Sequence, residues 1–270
     1  MISGAVFTDR FVSQPFVEYM FLGGTPYLND RIYDVAKVLR VLKSCLLDLR
    51  RFYTELPPPN PPSPSTGRPI TPSVFPHFRN FEVNGEQFEI NYLSRLAPQH
   101  SEKAVFKASI QHAGQERKVV VKFTPTYCLA AHEIAHKENC APRLWFCGKV
   151  ATVGGLFVVV MDFVEGRTLR AKSTISVSQR IVGQLGQTLA VLHGQNYVYG
   201  DLRGPNVVVL LDKNGDEFAK LLDFDWGGEG VVVYPADINM EIGWHAQVCP
   251  GGLIRREHDE FMLQRLGNGN

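Results

Sequence analysis

Apolar residues near the start of the chain recur with the period of a helix. The steps alternate between four and three residues and define one continuous stripe, made of Val35, Leu39, Leu42, Leu46, Leu49 and Tyr53. Asn29 or Asp30 can cap the first turn. The pattern predicts a helix whose stripe packs on its own domain, because the stripe is short for a coiled coil. A helix that pairs with a partner chain is the alternative. The aromatic side chains of residues 1–28 show no clear period, and we expect that segment to be weakly structured or docked.

A proline-rich segment follows this helix. Residues 57–76 contain nine of the 17 prolines and no pattern of side chains to bury. Such a composition favours an extended, polyproline-like linker. The linker separates an N-terminal helical segment, residues 1–56, from a domain over residues 77–270. Its Pro-x-x-Pro spacings could also dock on an SH3-type groove of a partner protein, although a linker is the simpler interpretation.

The pattern changes from helix to strand after the linker. Three short runs of β type, separated by polar turns, predict a small antiparallel meander, and they span residues 88–96, 104–110 and 118–123. Lys122 interrupts the third run, where its ammonium group must either reach water at a sheet edge or meet a negative group inside. A helix that begins at Thr124-Pro125 and carries Glu133 comes next. This order allows an ion pair that fixes the ammonium against nucleotide phosphates.

Composition and charge describe an ordinary soluble protein. The chain has 270 residues, 44% hydrophobic and 20% charged, and its formal net charge of +1 gives no electrostatic reason to expect nucleic acid or an anionic membrane as a partner. The longest aliphatic run, residues 156–161, is too short to span a bilayer. Five scattered cysteines without a Cys-x-x-Cys pair indicate reduced thiols. We therefore expect an intracellular protein, cytoplasmic by default, and the sequence leaves the nucleus open.

The segment with the clearest chemistry is Val-Tyr-Gly-Asp-Leu-Arg-Gly-Pro-Asn, residues 198–206. It lies between an amphipathic helix, predicted over about 177–192, and an apolar strand. Asp201 and Asn206 are five positions apart on this loop and can converge on one point. In phosphoryl transfer such an Asp orients the attacking hydroxyl and accepts its proton, and such an Asn holds a magnesium ion. The alternative is a turn rich in Asp, Asn, Gly and Pro without catalytic meaning.

A second acidic motif follows the loop. Two apolar runs, 207–211 and 218–222, flank Asn214-Gly215, which is a strong signal for a β-hairpin. The hairpin would return the chain and deliver Asp-Phe-Asp-Trp, residues 223–226, beside the loop. Further along, one short helix is predicted from 257 to 266.

The order of these motifs resembles the protein-kinase-like superfamily over roughly residues 80–230. Two motifs look most like those of the fungal kinase-like proteins: Tyr-Gly-Asp-Leu-Arg-Gly-Pro-Asn and, after it, Leu-Asp-Phe-Asp-Trp. The resemblance implies an α+β, bilobal protein-kinase-like fold, with a small lobe at about 77–161 and a shortened C-terminal large lobe at about 162–270. It also implies an ATP-dependent phosphotransferase that transfers the γ-phosphate to a hydroxyl, with Ser or Thr of a protein substrate as the first expectation.

The resemblance further implies ATP and Mg²⁺ as cofactors. Lys122 would hold the α- and β-phosphates, with Glu133 as its ion-pair partner. Backbone groups of Asp162 and Val164 would bind the adenine edge, beside Met161 as the gatekeeper.

Four residues of the two acidic motifs have implied roles in the transfer itself. Asp201 would be the catalytic base, and Arg203 would contact the transferring phosphate. Asn206 and Asp223 would ligate Mg²⁺, so that Asp223 also belongs to the cofactor-binding set. Few residue types are needed, because this chemistry consists mostly of positioning and charge neutralisation.

Several positions depart from the family pattern. No Gly-x-Gly-x-x-Gly lies between the first two strands, Asp225 stands where the family has Gly, and Tyr199-Gly200 replaces its His-Arg. An alternative register would put Ala130, rather than Glu133, in the ion-pair position. These departures favour a second hypothesis, a pseudokinase that binds nucleotide or a protein partner. A third hypothesis is a small-molecule kinase of the aminoglycoside or choline type, because Gly-Asp-Leu recurs there.

The helix after the third strand contains a competing motif. His132-Glu133-Ile134-Ala135-His136 matches His-Glu-x-x-His, which places two imidazoles on one helical face as zinc ligands and a Glu as general base. Glu165 is a conceivable third ligand. A zinc metalloprotease would leave Lys122, Asp201 and Asp223 unexplained. The alternative for this motif is a helix whose two His side chains bind no metal.

Overall fold

The computed structural model describes residues 2–7, 11–17, 28–55, 75–76, 78–96, 103–169 and 177–268. The chain divides into two units, Met1–Val74 and Phe75–Asn270. The boundary between them lies inside the predicted proline-rich linker, which falls outside the described residues except for Phe75 and Pro76. The organisation into residues 1–56, 57–76 and 77–270 therefore stays a prediction.

The N-terminal unit contains a hairpin and a long helix. Strands β1 (Ile2–Phe7) and β2 (Phe11–Val17) pair antiparallel, where the sequence led us to expect weak structure. Helix α1 spans Leu28–Glu55, so the predicted helix is confirmed. Leu39 and Leu46 of its apolar stripe are 54% and 56% exposed. These two side chains are not packed into a core, contrary to the expectation for the stripe.

A five-stranded antiparallel sheet forms the first half of the second unit. Its strand order is β5-β6-β7-β9-β8, and the hairpin β3-β4 precedes it. The predicted meander is confirmed as β5 to β7. The strands are β3 (Asn80–Val83), β4 (Glu86–Glu89), β5 (Asn91–Arg95), β6 (Ala104–His112), β7 (Gln115–Thr124), β8 (Leu144–Val150) and β9 (Leu156–Asp162).

The alternating side chains of β7 face two different hydrophobic cores, one on each side of the sheet. Val119 and Val121 are fully buried in an aromatic-rich core together with Phe106. Lys122 follows Val121 and therefore points to the opposite face of the sheet. Its partner across the ladder is Val159, which belongs to the second hydrophobic core. The Lys122 side chain is thus directed toward that second core rather than into the first.

Helix α2 spans Leu129–Lys137 and begins later than the predicted start at Thr124-Pro125. The backbone N–H of Cys128 donates a hydrogen bond of 3.0 Å to the carbonyl of Phe224. A contact with a distant segment therefore fixes the beginning of this helix, and the local Thr-Pro signal does not.

The second half of the unit combines two helices with short strands. The sheet β10-β12-β13 contains the predicted Asn214-Gly215 hairpin, and β11 pairs with β14. On α3 the predicted apolar face is buried, and the Ser178 side chain caps the first turn. The elements are β10 (Arg167–Thr168), α3 (Gln179–Gly194), β11 (Tyr197–Val198), β12 (Val207–Leu211), β13 (Glu217–Leu221), β14 (Gly228–Glu229) and α4 (Arg256–Gly267).

The fold is α+β, as predicted, and it has two hydrophobic cores. One core lies on the five-stranded sheet, and the other joins α2, α3 and α4 with β12 and β13. The loop at residues 199–206 and the segment at 223–226 both contribute to the second core, through Tyr199 and Phe224. Among the residues that the structure describes, no helix has both the length and the apolar character needed to cross a membrane.

Candidate active site

Two glycines give the loop between β11 and β12 its shape. Gly200 has a φ of 82°, and a Cβ at this position would lie 3.0 Å from Ile254 Cδ1. At Gly204 a Cβ would lie 1.7 Å from the carbonyl oxygen of Leu169, a distance that no side chain can accept. The loop then enters β12 through a short 3₁₀ turn that ends at Asn206. The glycines around Asp201 are therefore required by close packing of the backbone.

The structure brings Asp201 and Asn206 together. The Asn206 Nδ2 group donates to Asp201 Oδ2 at 2.7 Å and to the Asp201 carbonyl at 3.0 Å. Arg203 Nη2 donates to the same carboxylate oxygen at 3.1 Å. The Asp201 side chain is buried, and burial raises its pKa to about 6 against the lowering effect of the Arg203 charge. A carboxylate with such a pKa is matched to accepting a proton near neutral pH.

One carboxylate oxygen of Asp201 keeps unused hydrogen-bonding capacity. Arg203 Nε lies 2.7 Å from Asp201 Oδ1, which is an ion-pair distance. The N–H direction, however, does not complete a hydrogen bond, and both atoms are buried without a hydrogen-bond partner. A buried carboxylate oxygen without a hydrogen bond is costly, and the charge of Arg203 offsets part of that cost. This oxygen has almost no contact with solvent, so a substrate hydroxyl reaches it only if Arg203 moves.

Lys122 is held by two carboxylates. Its Nζ atom lies 2.5 Å from Asp223 Oδ1 and 2.6 Å from Asp225 Oδ1, and its side chain is only 11% exposed. Burial alone would lower the pKa of Lys122, but the charges of Asp223 and Asp225 outweigh burial and raise it. The pKa of Asp223 falls, because Lys122 outweighs the effect of burial. The Lys122 ammonium therefore meets negative groups inside the protein and does not reach water at a sheet edge.

The loop and the second acidic motif are joined by backbone contacts. The N–H of Leu222 donates to the Asn206 carbonyl at 2.8 Å, and the Tyr199 hydroxyl donates to the Leu222 carbonyl. Asp223 follows with a φ of 64°, which is strained for a residue other than glycine. Its charge helps to raise the pKa of Asp201. Asp201 and Asn206 of the loop and Asp223 of the second acidic motif therefore lie in one region, although the two segments are separate in sequence.

Glu133 does not join this site. It lies on the exposed side of α2, whose buried side carries Ala131, Ile134 and Ala135. Lys122 is buried with Asp223 and Asp225 instead. The expectation of an ion pair between Lys122 and Glu133 is thus corrected, because α2 packs its buried residues on the core and Glu133 lies on the opposite, exposed side.

The predicted adenine-binding residues lie at the end of β9. Met161 is buried, and Asp162 is the last residue of the strand. The Asp162 N–H already donates to the Arg143 carbonyl at 2.9 Å, and its side chain accepts from Trp145 Nε1 at 2.7 Å. The N–H of Asp162 is therefore committed to the protein. Val164 follows two residues later in the irregular segment and is half-buried.

His132 contradicts the zinc alternative. Its Nε2–H donates to the Pro142 carbonyl at 2.8 Å, and its Nδ1 accepts from the Tyr127 hydroxyl at 2.5 Å. A zinc ligand needs a free ring nitrogen, and this buried ring has none. In the described part of the chain, no group of three or more His, Cys, Asp or Glu side chains is placed to hold a metal ion. The His132 ring instead stacks on Phe224, with 4.7 Å between ring centroids.

The burial of His132 predicts a pH-dependent stability. Burial lowers the pKa of this imidazole from 6.5 to about 4, so the unfolded chain binds a proton as pH falls below 6.5 and the folded protein does not. The free energy of unfolding should therefore fall by about 2 kcal/mol from this residue between pH 7 and pH 5. Urea unfolding of the parent and of His132→Phe at both pH values measures the difference.

His136 provides the control for this experiment, because it lies one turn further along the same helix and is exposed. His136→Gln should keep most of the pH dependence of the parent, because the charge of His136 contributes only the smallest of the effects on the pKa of His132. An equal pH dependence in the parent and in His132→Phe would contradict the assignment.

Asp259 is a site residue that the sequence pattern did not reveal. Its carboxylate, 1% exposed, accepts from the N–H groups of Tyr199 at 2.9 Å and Gly200 at 2.8 Å. His193 Nε2 lies 3.1 Å from the same group. Asp259 thereby fixes the backbone directly before Asp201. No local signal could have found it, since its partners lie about sixty residues earlier in the chain.

The donor set fits a magnesium ion. The carboxylate of Asp223 and the amide oxygen of Asn206 are hard oxygen ligands of the kind that Mg²⁺ prefers. Asn206 is hydrogen-bonded to Asp201, and Asp223 is paired with Lys122, so that each ligand has a base or a cation beside it. A magnesium-bound nucleotide would keep several ligand positions for phosphate oxygens and water, which is why two protein ligands are sufficient.

Comparisons with known proteins identify kinases among the solved structures. No protein-family model matches the chain, and no curated protein does. The chain is similar to the kinase PK-1 of Cydia pomonella granulovirus, with 15% identity over 67% of this chain and 69% of that chain, at a TM-score of 0.48. It is also similar to vaccinia related kinase 3, with 14% identity over 72% and 67% of the two chains, at a TM-score of 0.47. Similarity at this level assigns no role to a residue.

Proposed function

We propose that this chain is an ATP-dependent phosphotransferase that transfers the γ-phosphate of ATP to a hydroxyl group. The observation that carries the proposal is the buried Asp201 carboxylate, which is hydrogen-bonded to Asn206 and adjoins the Lys122–Asp223 ion pair. A base, a metal-ligand set and a phosphate-binding cation are the groups that such a transfer requires. A Ser or Thr side chain of a protein is the first candidate acceptor.

Each residue has a role that its contacts support. Asp201 orients the acceptor hydroxyl and takes its proton, a role that its raised pKa suits. Arg203, whose guanidinium adjoins that carboxylate, neutralises charge on the transferring phosphate. Asn206 and Asp223 would hold Mg²⁺, which when bound supplies further charge neutralisation at the phosphates.

The nucleotide itself would lie between Lys122 and the end of β9. Lys122 is the cation that would bind the α- and β-phosphates when Asp223 coordinates Mg²⁺ instead of pairing with Lys122. The backbone at Asp162 and Val164 would bind the adenine edge, with Met161 limiting the depth of that site. For Asp162 this role falls to the carbonyl, because its N–H is already donated to Arg143.

A second candidate function is a pseudokinase, and one observation favours it. Lys122, Asp223 and Asp225 fill the proposed phosphate region with their own ion pairs. Two cavities of about 360 and 200 Å³ lie elsewhere, beside Glu133 and beside Arg255, and neither borders Lys122. A protein of this kind would bind a nucleotide or a partner without transferring phosphate.

A thermal-shift experiment tests nucleotide binding. ATP with Mg²⁺ at about 100 times its dissociation constant should stabilise the parent by about 2.7 kcal/mol. Lys122→Ala and Asp223→Ala should each reduce this shift, measured against the melting temperature of the same variant without ATP. Lys118→Ala is the matched control, because Lys118 lies on the same strand, is 55% exposed and pairs with Glu165. The absence of any shift in the parent would refute nucleotide binding.

A further inference from the structure

The ion pair at Lys122 contains one more carboxylate than the proposed chemistry uses. Asp223 is assigned to the metal, whereas Asp225 has no role in that scheme. Asp225 is nevertheless bound as closely, with 2.6 Å between its Oδ1 atom and Lys122 Nζ. Its side chain is 20% exposed, so this is not a loose surface contact. Removing this second carboxylate from water costs free energy, so we expect its contact with Lys122 to provide a role.

Both carboxylate oxygens of Asp225 are bound by side chains of β7. Lys122 binds Oδ1, and the Thr124 hydroxyl lies 2.8 Å from Oδ2. Lys122 and Thr124 are two residues apart on β7, and side chains at that spacing project from the same face of a strand. The carboxylate is therefore held in one orientation by two neighbouring groups. This geometry fixes the ammonium and the carboxylate relative to each other.

Helix α2 offers no carboxylate to Lys122. Its sequence contains a single acidic residue, Glu133, and that residue is exposed. A buried ammonium without a negative partner is strongly disfavoured. When Asp223 turns to the metal, Asp225 is the carboxylate that remains at hydrogen-bonding distance from Lys122.

We propose that Asp225 is a positioning residue that holds the Lys122 ammonium toward the nucleotide phosphates, in place of an acidic residue from α2. The inference rests on the proposed function, since it assumes that Lys122 meets phosphates. Thr124 supports the same role by fixing the second oxygen of Asp225. The alternative is that Asp225 competes with the phosphates for Lys122. In that case removing the charge of Asp225 would strengthen the binding of ATP.

Calorimetric titration with ATP and Mg²⁺ decides between the two effects, and it does not depend on turnover. Asp225→Asn keeps the size of the side chain and removes its charge, and it should weaken binding about tenfold. Thr124→Val should weaken binding in the same direction but less. A tighter complex with Asp225→Asn, which is the result expected from competition, would overturn the inference.

A double-mutant cycle separates positioning from general damage to the fold. If Asp225 acts through Lys122, then Asp225→Asn should have no further effect on ATP affinity in a Lys122→Met background. Additive losses would overturn the inference. Asp225→Glu should recover part of the affinity, because it restores the charge. Asp216→Asn is the control, since Asp216 is a half-exposed carboxylate that pairs with Arg180 on the surface.

ATP binding by the parent and by Asp225→Asn separates a wrong role for Asp225 from a wrong proposed function. If the parent binds ATP and Mg²⁺ and Asp225→Asn binds equally well, only the role of Asp225 is refuted. If the parent binds no nucleotide, both proposals fall. In a parent that transfers phosphate, Asp225→Asn should lower kcat about 10- to 100-fold, as misaligned phosphates predict, and the KM for ATP should rise with the loss of affinity.

Discussion

Asp201→Asn should lower the rate of phosphate transfer by about 10²- to 10⁴-fold and leave ATP affinity nearly unchanged. The amide has the size of the carboxylate and can still accept a hydrogen bond from Asn206 or Arg203. It cannot accept the proton of an attacking hydroxyl, because an amide oxygen is a very weak base. Transfer of labelled γ-phosphate, together with a parallel titration of ATP, measures both quantities. A loss of rate without a loss of affinity identifies the base.

Asp237→Asn is the control for this prediction. Asp237 is an exposed carboxylate in the same unit, so its loss should leave the rate within about twofold of the parent. The role of Asp201 as base would be contradicted by a variant that transfers phosphate as fast as the parent. A parent that binds ATP and transfers nothing under any condition would favour the pseudokinase.

Asp259→Ala should lower the free energy of unfolding by about 3–5 kcal/mol. The carboxylate accepts from the N–H groups of Tyr199 and Gly200 and contacts His193. Its removal leaves these donors buried without an acceptor, and each such donor costs about 1–3 kcal/mol. Urea unfolding measures the loss. The loop that carries Asp201 should lose its fixed geometry at the same time, so activity should fall in the fraction that remains folded.

Glu260→Ala provides a matched comparison, because Glu260 is the next residue on α4 and is exposed. It should change the free energy of unfolding by less than about 0.5 kcal/mol. Asp259→Asn should lie between the two, since an amide keeps one acceptor oxygen. Equal stabilities of Asp259→Ala and Glu260→Ala would show that the buried carboxylate does not hold the loop.

The parts of the fold that the sequence predicted are those set by local patterns. The α3 stripe, the Asn214-Gly215 hairpin and the strand that carries Lys122 follow from periodicity and turn chemistry. The pairing of Asp201 with Asn206 follows from their spacing on one loop. These features depend on residues that are close in sequence, so a single chain is enough to reveal them.

The parts that the sequence did not predict depend on distant contacts. Helix α2 begins at Leu129, where the Cys128 N–H is hydrogen-bonded to the carbonyl of Phe224, about a hundred residues away. Its buried residues pack on the core and leave Glu133 exposed, and Lys122 is paired with Asp223 and Asp225 instead. Asp259 acts on a loop about sixty residues before it. The hairpin of β1 and β2 was missed because its aromatic residues show no strict alternation.

The most direct test of the account is to locate the metal. A crystal of the parent protein with a non-hydrolysable ATP analogue and Mn²⁺, which substitutes for Mg²⁺ and scatters anomalously, shows where the ion lies. We predict an anomalous peak about 2.1 Å from a carboxylate oxygen of Asp223 and from the amide oxygen of Asn206, with the analogue phosphates beside Lys122. A peak away from these two residues, or phosphates bound elsewhere, would contradict the account.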